Sequence, residues 1–128
     1  MSSRKFCLNK LVRDGVFDSM EKLGQTTEHR FLTGEELVKA SDDKLREEVG
    51  ELGMGDAKEE LADIIEAVWQ ATRARGISYE EVLAVQVDKY EKVGDFSKGI
   101  FVETVITPEG DLWGDYYASH PDRFPEIK

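Results

Sequence analysis

Apolar residues return at helical spacing in several stretches of the chain. The first stretch runs from Val12 to Leu23 and is followed by Gly24, a residue type that often ends a helix. The last covers Tyr79 to Val93, where apolar residues return every three or four positions until Gly94. This spacing predicts a short helix near the N-terminus and a longer amphipathic helix before Gly94.

Helix-capping residues mark the starts of three helices. A Thr, Asp or Ser followed three positions later by Glu occurs at Thr33, Asp56 and Ser78, and each precedes an apolar stripe. In such a capping box the first side chain accepts from a helix amide, and the Glu reaches back to the first residue. The helices that begin at Thr33 and Asp56 are joined by a short glycine-containing connection at residues 53–55. We therefore expect them to pack as antiparallel neighbours.

The pattern changes after Gly94. The segment 100–106 is rich in β-branched and aromatic residues, Pro108 to Asp111 is a turn signal, and Leu112-Trp113 suggests a returning strand. This predicts a small β-hairpin, or otherwise an irregular arm, in the C-terminal part.

The elements together predict an all-α fold with a bundle of about four helices. We expect a single domain over residues 1–128, with a helical core at about 10–94 and a C-terminal extension at about 96–128. The apolar stripes are broader than so few helices can bury, so we expect oligomerisation, at least to a homodimer, to complete the bundle.

Composition and charge disfavour some classes of binding partner. The formal net charge is −10, which disfavours nucleic-acid polymers and anionic membrane surfaces. No run of about 18 apolar residues is present and the N-terminus lacks an apolar signal core, so no membrane span is expected. Cys7 is the single cysteine, which fits a reducing compartment, and we expect a cytoplasmic protein.

Two pairs of carboxylates are the candidate metal ligands in the sequence. Glu48 and Glu51 are three residues apart on one predicted helix, and Glu60 and Asp63 are three apart on the next. Each pair projects from one side of its helix, and we expect the pairs to face each other across the hairpin. Clustered like charges repel, and a divalent cation removes that cost. Oxygen ligands favour a hard cation, Mg²⁺ or Mn²⁺, over zinc.

Two other interpretations of the carboxylates are open to test. They can form a solvated acidic face, as many helix surfaces do. A di-iron or di-manganese centre needs Glu-x-x-His on two helices, and neither His29 nor His120 lies three residues after an acid. A redox di-metal centre is therefore disfavoured, and both histidines are interpreted as ordinary surface or packing residues.

Three motifs in order resemble one family. The pattern EExxE…ExxD, the segment Asn9–Asp14 and the segment Lys89–Phe96 are similar to motifs of the all-α NTP pyrophosphatases. Within that group the chain resembles the MazG-like house-cleaning enzymes of the branch labelled phosphoribosyl-ATP pyrophosphohydrolase-like. The resemblance covers roughly residues 6–103, and the portion from Glu103 onward matches no motif.

The resemblance implies a Mg²⁺-dependent hydrolase that splits a nucleoside triphosphate into the monophosphate and pyrophosphate, clearing noncanonical or excess nucleotides. It implies a homo-oligomer, with the active site near the interface. The implied metal ligands are Glu48, Glu51, Glu60 and Asp63, with Glu47 as general base or auxiliary ligand. The implied substrate-binding residues are Asn9, Lys10, Arg13, Lys89 and Lys92, whose cations would hold phosphates.

The same residues are compatible with two other functions. Phosphoribosyl-ATP pyrophosphohydrolase of histidine biosynthesis cuts the same linkage on another nucleotide, and the spacing does not separate the two. A non-catalytic acidic helical interaction module would use the carboxylates only as a soluble face. Three aromatic residues, Phe17, Trp69 and Tyr90, are candidates to stack on a base, although core packing is the simpler interpretation of Trp69 and Tyr90.

Overall fold

The structure, a computed structural model, describes residues 2–128. These residues form five α-helices and no strand, so the predicted all-α fold is confirmed. The helices in chain order are α1 (Asp14–Lys22), α2 (Gly34–Gly50), α3 (Ala57–Ala74), α4 (Tyr79–Val93) and α5 (Leu112–Ala118). None of them is long and apolar enough to cross a membrane.

Two of the three predicted helix starts, at Asp56 and Ser78, have a side-chain cap in the structure, and the third, at Thr33, has none. The Asp56 side chain accepts from the amide of Glu59 at 3.1 Å, as expected at the start of α3. At α4, Ser78 accepts from the amide of Glu81, whose carboxylate is bonded in return by the amide of Ser78. The capping box at Thr33 was wrong.

The α2 start lacks its predicted reciprocal bonds for an identifiable reason. Thr33 occupies the N-cap position, but its side chain makes no capping hydrogen bond. Glu36, which should reach back to Thr33, instead accepts a hydrogen bond from Arg30 at 2.8 Å. A charged partner outside the helix therefore competes successfully for the Glu36 carboxylate.

The helices α2 and α3 pack against each other, and they are the only pair among the described residues whose backbones come close over several positions. Small side chains lie in their contact: Ser41 is fully buried, and Ala67 and Ala71 are nearly so. Gln70 of α3 donates to the Ser41 hydroxyl at 3.2 Å. Small residues let the two helices approach, and the hydrogen bond satisfies the buried hydroxyl.

The chain divides into two compact units, one that extends to Lys92 and one that covers Val93–Lys128. In the second unit, Asp111 caps α5 by accepting from the amide of Gly114 at 2.9 Å. A Cβ at Gly114 would lie 2.6 Å from the Thr107 hydroxyl oxygen, so any larger residue there would have to displace the Thr107 side chain.

Of the two alternatives predicted for the C-terminal part, the β-hairpin is wrong and irregular structure is present. Residues 99–108 have no regular structure, and Leu112 and Trp113 form the first turn of α5. The turn at Pro108 to Asp111 is present, with the Asp111 amide donating to the Pro108 carbonyl at 3.1 Å. The side chain of Asp111 then caps a helix, which explains why the residues after the turn do not return as a strand.

Large apolar side chains remain accessible in the first unit. Leu61 and Ile65 on α3 are each 49% exposed, whereas Ala67 and Ala71 are the only buried apolar residues in the part of the chain that the structure describes. The unit therefore presents apolar surface of the kind that a partner usually covers.

Candidate functional site

The contact between α2 and α3 fixes how far along each helix the carboxylates lie. Gln70 bonds Ser41, so these residues are at about the same level of the antiparallel pair. Seven residues further along α2 is Glu48, and seven residues back along α3 is Asp63. Seven residues are nearly two full turns, so both return to the side where the helices meet. Glu48 and Asp63 therefore lie level with each other.

A second level lies closer to the connection between the helices. Three residues beyond Glu48 is Glu51, which follows the last residue of α2, and three residues before Asp63 is Glu60. The same register places these two at a common level. The packing of α2 on α3 thus places the four predicted ligands at two levels of the hairpin near its connection.

Glu48 differs from the other acids in its burial. It is 9% exposed and is the only buried carboxylate among the described residues. Its partner is Lys44, one turn earlier on α2, whose ammonium lies 3.0 Å from Glu48 Oε1 and 3.5 Å from a carboxylate oxygen of Glu47. A carboxylate that leaves water needs such a positive partner.

The environment of Lys44 favours its charged form. Burial alone would lower the pKa of Lys44, but its hydrogen bond with Glu48 and the charges of Glu47 and Glu48 raise the pKa overall. The ammonium therefore stays protonated and supplies a fixed positive charge beside Glu48.

Two cations of the N-terminal segment also reach the acids of α2 and α3. Lys10 donates to Glu47 at 2.9 Å, and Arg13 donates to Asp63 at 2.8 Å. The hydrogen bond from Lys10 is the main reason that the pKa of Glu47 lies below its ordinary value, with Lys44 contributing its charge. The segment before α1 is thus anchored to both helices at the level of the carboxylates.

Glu60 has a different role in the structure. Its carboxylate accepts hydrogen bonds from three consecutive backbone amides of the α2–α3 connection, those of residues 53–55, at 3.1 to 3.3 Å. Gly53 has a φ of 96°, a left-handed conformation that favours glycine and helps these amides converge. Glu60 therefore holds the connection between the helices in place.

The five acids near this connection, Glu47, Glu48, Glu51, Glu60 and Asp63, are called the loop-end acids below. Among residues 2–128, no three His, Cys, Asp or Glu side chains are placed to share one metal ion. The partners just described explain this: three of the acids contact cations, and Glu60 contacts the connection. The loop-end acids offer only carboxylate oxygens as ligands, and Mg²⁺ and Mn²⁺ prefer charged oxygen ligands of this kind.

The remaining predicted substrate-binding residues lie apart from these contacts. Asn9 is the one residue other than glycine with a positive φ in the described chain, at 47°. Lys92 pairs with Asp88 on α4 at 3.0 Å, and no ion pair in residues 2–128 joins Lys89 or Lys92 to the loop-end acids. The structure brings Lys10 and Arg13 to the acids but not the two lysines of α4.

The candidate stacking residues have aromatic neighbours within the chain. Trp69 packs edge-on against Tyr79 with ring centroids 4.7 Å apart, and Phe17 packs in the same way against His29. Tyr90 is 53% exposed. Only Tyr90 therefore offers a largely open ring face, and the other two side chains serve packing.

Lys44 is the site residue that the sequence reasoning missed. The signal was present in the sequence, because Lys44 precedes Glu47 by three residues and Glu48 by four, and both offsets bring side chains together on a helix. Lys44 lies on the helix that carries the acids, outside the terminal motifs that contain the predicted cations.

Comparison with models of protein families, with curated proteins and with solved structures found no match to this chain.

Proposed function

We propose that the chain is a Mg²⁺-dependent nucleoside triphosphate pyrophosphohydrolase, which releases a nucleoside monophosphate and pyrophosphate. We propose noncanonical or excess nucleotides as its substrates. The family resemblance of the motifs suggests this reaction, and the arrangement of the loop-end acids supports it.

The observation that carries the proposal is the meeting of three segments at one place. Glu48 and Asp63 lie level on two packed helices, and Lys10 and Arg13 of the N-terminal segment contact Glu47 and Asp63 at 2.9 and 2.8 Å. A polyphosphate bound through a divalent cation needs carboxylates for the metal and cations for the remaining phosphate charge. Both kinds of residue are present in contact, although they come from distant parts of the sequence.

The proposed roles follow from position. The ion would be held by Glu48, Glu51, Glu60 and Asp63. To bind it, Glu60 would have to give up the hydrogen bonds that it now accepts from backbone amides of the connection. When bound, the ion supplies charge neutralisation at the phosphates and lowers the pKa of a water molecule. Lys10 and Arg13 would then leave their carboxylate partners and bind phosphate oxygens.

Glu47 is proposed as a general base or as an auxiliary ligand of the ion. Its carboxylate lies near that of Glu48, because the Lys44 ammonium contacts both, at 3.5 and 3.0 Å. The lowered pKa makes Glu47 a weaker base than an ordinary glutamate, so the role of general base requires that Lys10 first releases its carboxylate.

The direct experiment is pyrophosphate release from a panel of NTPs, dNTPs, noncanonical triphosphates and phosphoribosyl-ATP in the presence of Mg²⁺. We expect turnover of at least one triphosphate. Glu48→Gln should lower kcat/KM by about 100-fold or more, because loss of even outer-shell support typically costs 10- to 100-fold. Preferred turnover of phosphoribosyl-ATP would instead assign the reaction to histidine biosynthesis.

The matched control is Asp43→Asn, which removes one negative charge from the same helix. Asp43 pairs with Lys39 and Arg46 on the exposed side of α2 and touches none of the loop-end acids. Its activity should equal that of the wild type. A folded wild-type protein that turns over no nucleotide would refute the enzyme proposal and favour an acidic interaction module.

We further propose that the active form is a homodimer or a larger homo-oligomer. The accessible apolar residues Leu61 and Ile65 are four residues apart on α3 and share one face, which a second copy would cover. Light scattering should give a mass of at least twice 14.5 kDa. A monomer mass at micromolar concentration would contradict this part of the proposal.

We place this activity in the cytoplasm. The single cysteine, Cys7, is exposed as a free thiol. An exposed thiol persists in its reduced form most readily in a reducing compartment. Localisation of a tagged full chain would test the assignment, and export of the chain would contradict it.

A further inference from the structure

Lys44 has the least exposed side chain of the described basic residues that form ion pairs. It is 24% exposed, whereas the next, Arg75 and Lys10, are 40% and 42% exposed. Its ammonium contacts both Glu47 and Glu48, so two acids of the proposed site share one cation. The pair with Glu48 is also the one ion pair in the described chain that involves a buried carboxylate.

Lys44 differs from the two N-terminal cations in what supports it. Lys10 and Arg13 belong to a segment without regular structure, whereas Lys44 lies within α2, which packs on α3. Its backbone is therefore held in the same frame as Glu48. If the N-terminal segment moves when a nucleotide enters, Lys44 remains beside the acids.

A divalent cation and the Lys44 ammonium compete for the same oxygens. A Mg²⁺ ion binds a carboxylate oxygen at about 2.0–2.1 Å, and the ammonium lies only 3.0 Å from Glu48 Oε1. Two positive groups repel strongly at such separations in a partly buried place. The flexible four-carbon stem lets the ammonium move aside while Cα stays fixed on α2.

We propose that Lys44 is an exchangeable counter-ion of this site: it holds Glu47 and Glu48 in the metal-free protein, and on metal binding it moves to a phosphate oxygen of the nucleotide. The inference rests on the proposed function and adds a substrate-binding residue to it. The ammonium that substitutes for the metal in one state thus contributes to substrate binding in the other.

The test separates the two states by measuring two dissociation constants with calorimetry. The first is that of Mg²⁺ alone, and the second is that of a non-hydrolysable nucleoside triphosphate at saturating Mg²⁺. In Lys44→Met we expect Mg²⁺ to bind several-fold more tightly, because its competitor is gone. We expect the nucleotide to bind about 10-fold more weakly, the usual effect of losing one charge-assisted hydrogen bond.

The matched control is Lys39→Met. Lys39 is on the same helix and pairs with Asp43 four residues later at 2.9 Å, so the charge change and the helix position are the same in kind. That pair is exposed and lies away from the loop-end acids, and both constants should stay within about two-fold of the wild type. Lys44→Gln replaces Lys44→Met if the latter does not fold, with the same expected changes.

Exchange of Lys44 between the two states predicts that the two dissociation constants change in opposite directions in Lys44→Met. This distinguishes exchange from a simple loss of one positive charge. Shifts of both constants in one direction, or values equal to those of Lys39→Met, would overturn the inference while leaving the proposed function intact. A wild-type chain that binds neither Mg²⁺ nor the nucleotide would overturn both.

Discussion

The two ends of the α2–α3 pair use charge differently. Away from the connection, Arg75 at the C-terminal end of α3 donates to both carboxylate oxygens of Asp42 in the middle of α2, at 2.8 and 2.7 Å, so one base matches one acid. At the end near the connection, the five loop-end acids share three contacting cations: Lys10, Lys44 and Arg13.

The difference separates a structural ion pair from a site. A bidentate pair of one acid and one base is complete and requires no further ligand. An excess of carboxylate over cation costs electrostatic free energy that an added divalent cation can recover. The comparison indicates which end of the same helical hairpin should respond to a metal.

The largest expected effect is stabilisation by Mg²⁺ through the loop-end acids alone. At a free concentration of 100 times Kd, Mg²⁺ should raise the free energy of unfolding by about 2.7 kcal/mol. Thermal unfolding with and without Mg²⁺ measures this. Asp42→Asn should keep the gain, because its pair lies at the other end, whereas Glu48→Gln should lose it. An equal gain in both variants would erase the distinction between the two ends.

A smaller effect is expected at the connection. Glu60→Ala removes a charged acceptor of three backbone amides and should lower the free energy of unfolding by roughly 1.5–3 kcal/mol, at the low end because the contact is partly exposed. Glu60→Gln keeps a carbonyl acceptor and should cost less. Denaturant unfolding in metal-free buffer compares them. Identical stabilities of Glu60→Ala and the wild type would mean that the carboxylate does not hold the connection.

The helix starts give a third contrast. Asp56→Ala removes the observed cap of α3 and should cost about 1 kcal/mol, whereas Thr33→Ala at the start of α2 removes a side chain that makes no capping bond and should cost a few tenths. Chemical denaturation resolves the difference. Comparable losses would indicate that Thr33 does cap α2 in solution.

The smallest effect concerns the closed pair at the other end. The pKa of Asp42 lies below its ordinary value, chiefly because Arg75 donates hydrogen bonds to it. A carboxyl with a lowered folded-state pKa stabilises the fold above its unfolded pKa, and this contribution is lost as the pH falls through the folded pKa.

The pH dependence of Arg75→Ala tests that sign. The wild type should unfold at a higher temperature than this variant at neutral pH, and the gap should shrink below about pH 4. The gap should be small, because the pair is solvent-accessible. A gap that grows on acidification would contradict the assignment.

Local signals in the sequence predicted the helices well and the C-terminal part poorly. The starts of α3 and α4 depend on caps within three residues, and those caps formed. The capping box at Thr33 failed because Arg30, outside the pattern, binds Glu36. A strand forms only beside another strand, and the local pattern does not show whether one is available. The β-rich segment 100–106 has no such neighbour and therefore has no regular structure.

The candidate site was predictable in part for a related reason. The levels of Glu48 and Asp63 follow from helical spacing once an antiparallel pair is assumed, and that assumption was correct. The contact of Glu60 with the connection depends on the backbone of residues 53–55, including the left-handed Gly53, which spacing does not describe. The contacts of Lys44 with Glu47 and Glu48 follow from helical spacing, because the residues are three and four positions apart on α2.

The central claim is that the loop-end acids bind a divalent cation together with a nucleotide. The most direct measurement is calorimetric titration of a non-hydrolysable nucleoside triphosphate into the wild-type chain, with Mg²⁺ and with a chelator. We expect saturable binding only with Mg²⁺, lost in Asp63→Asn and retained in Asp43→Asn. Equal binding with the chelator, or no binding in either condition, would contradict the claim.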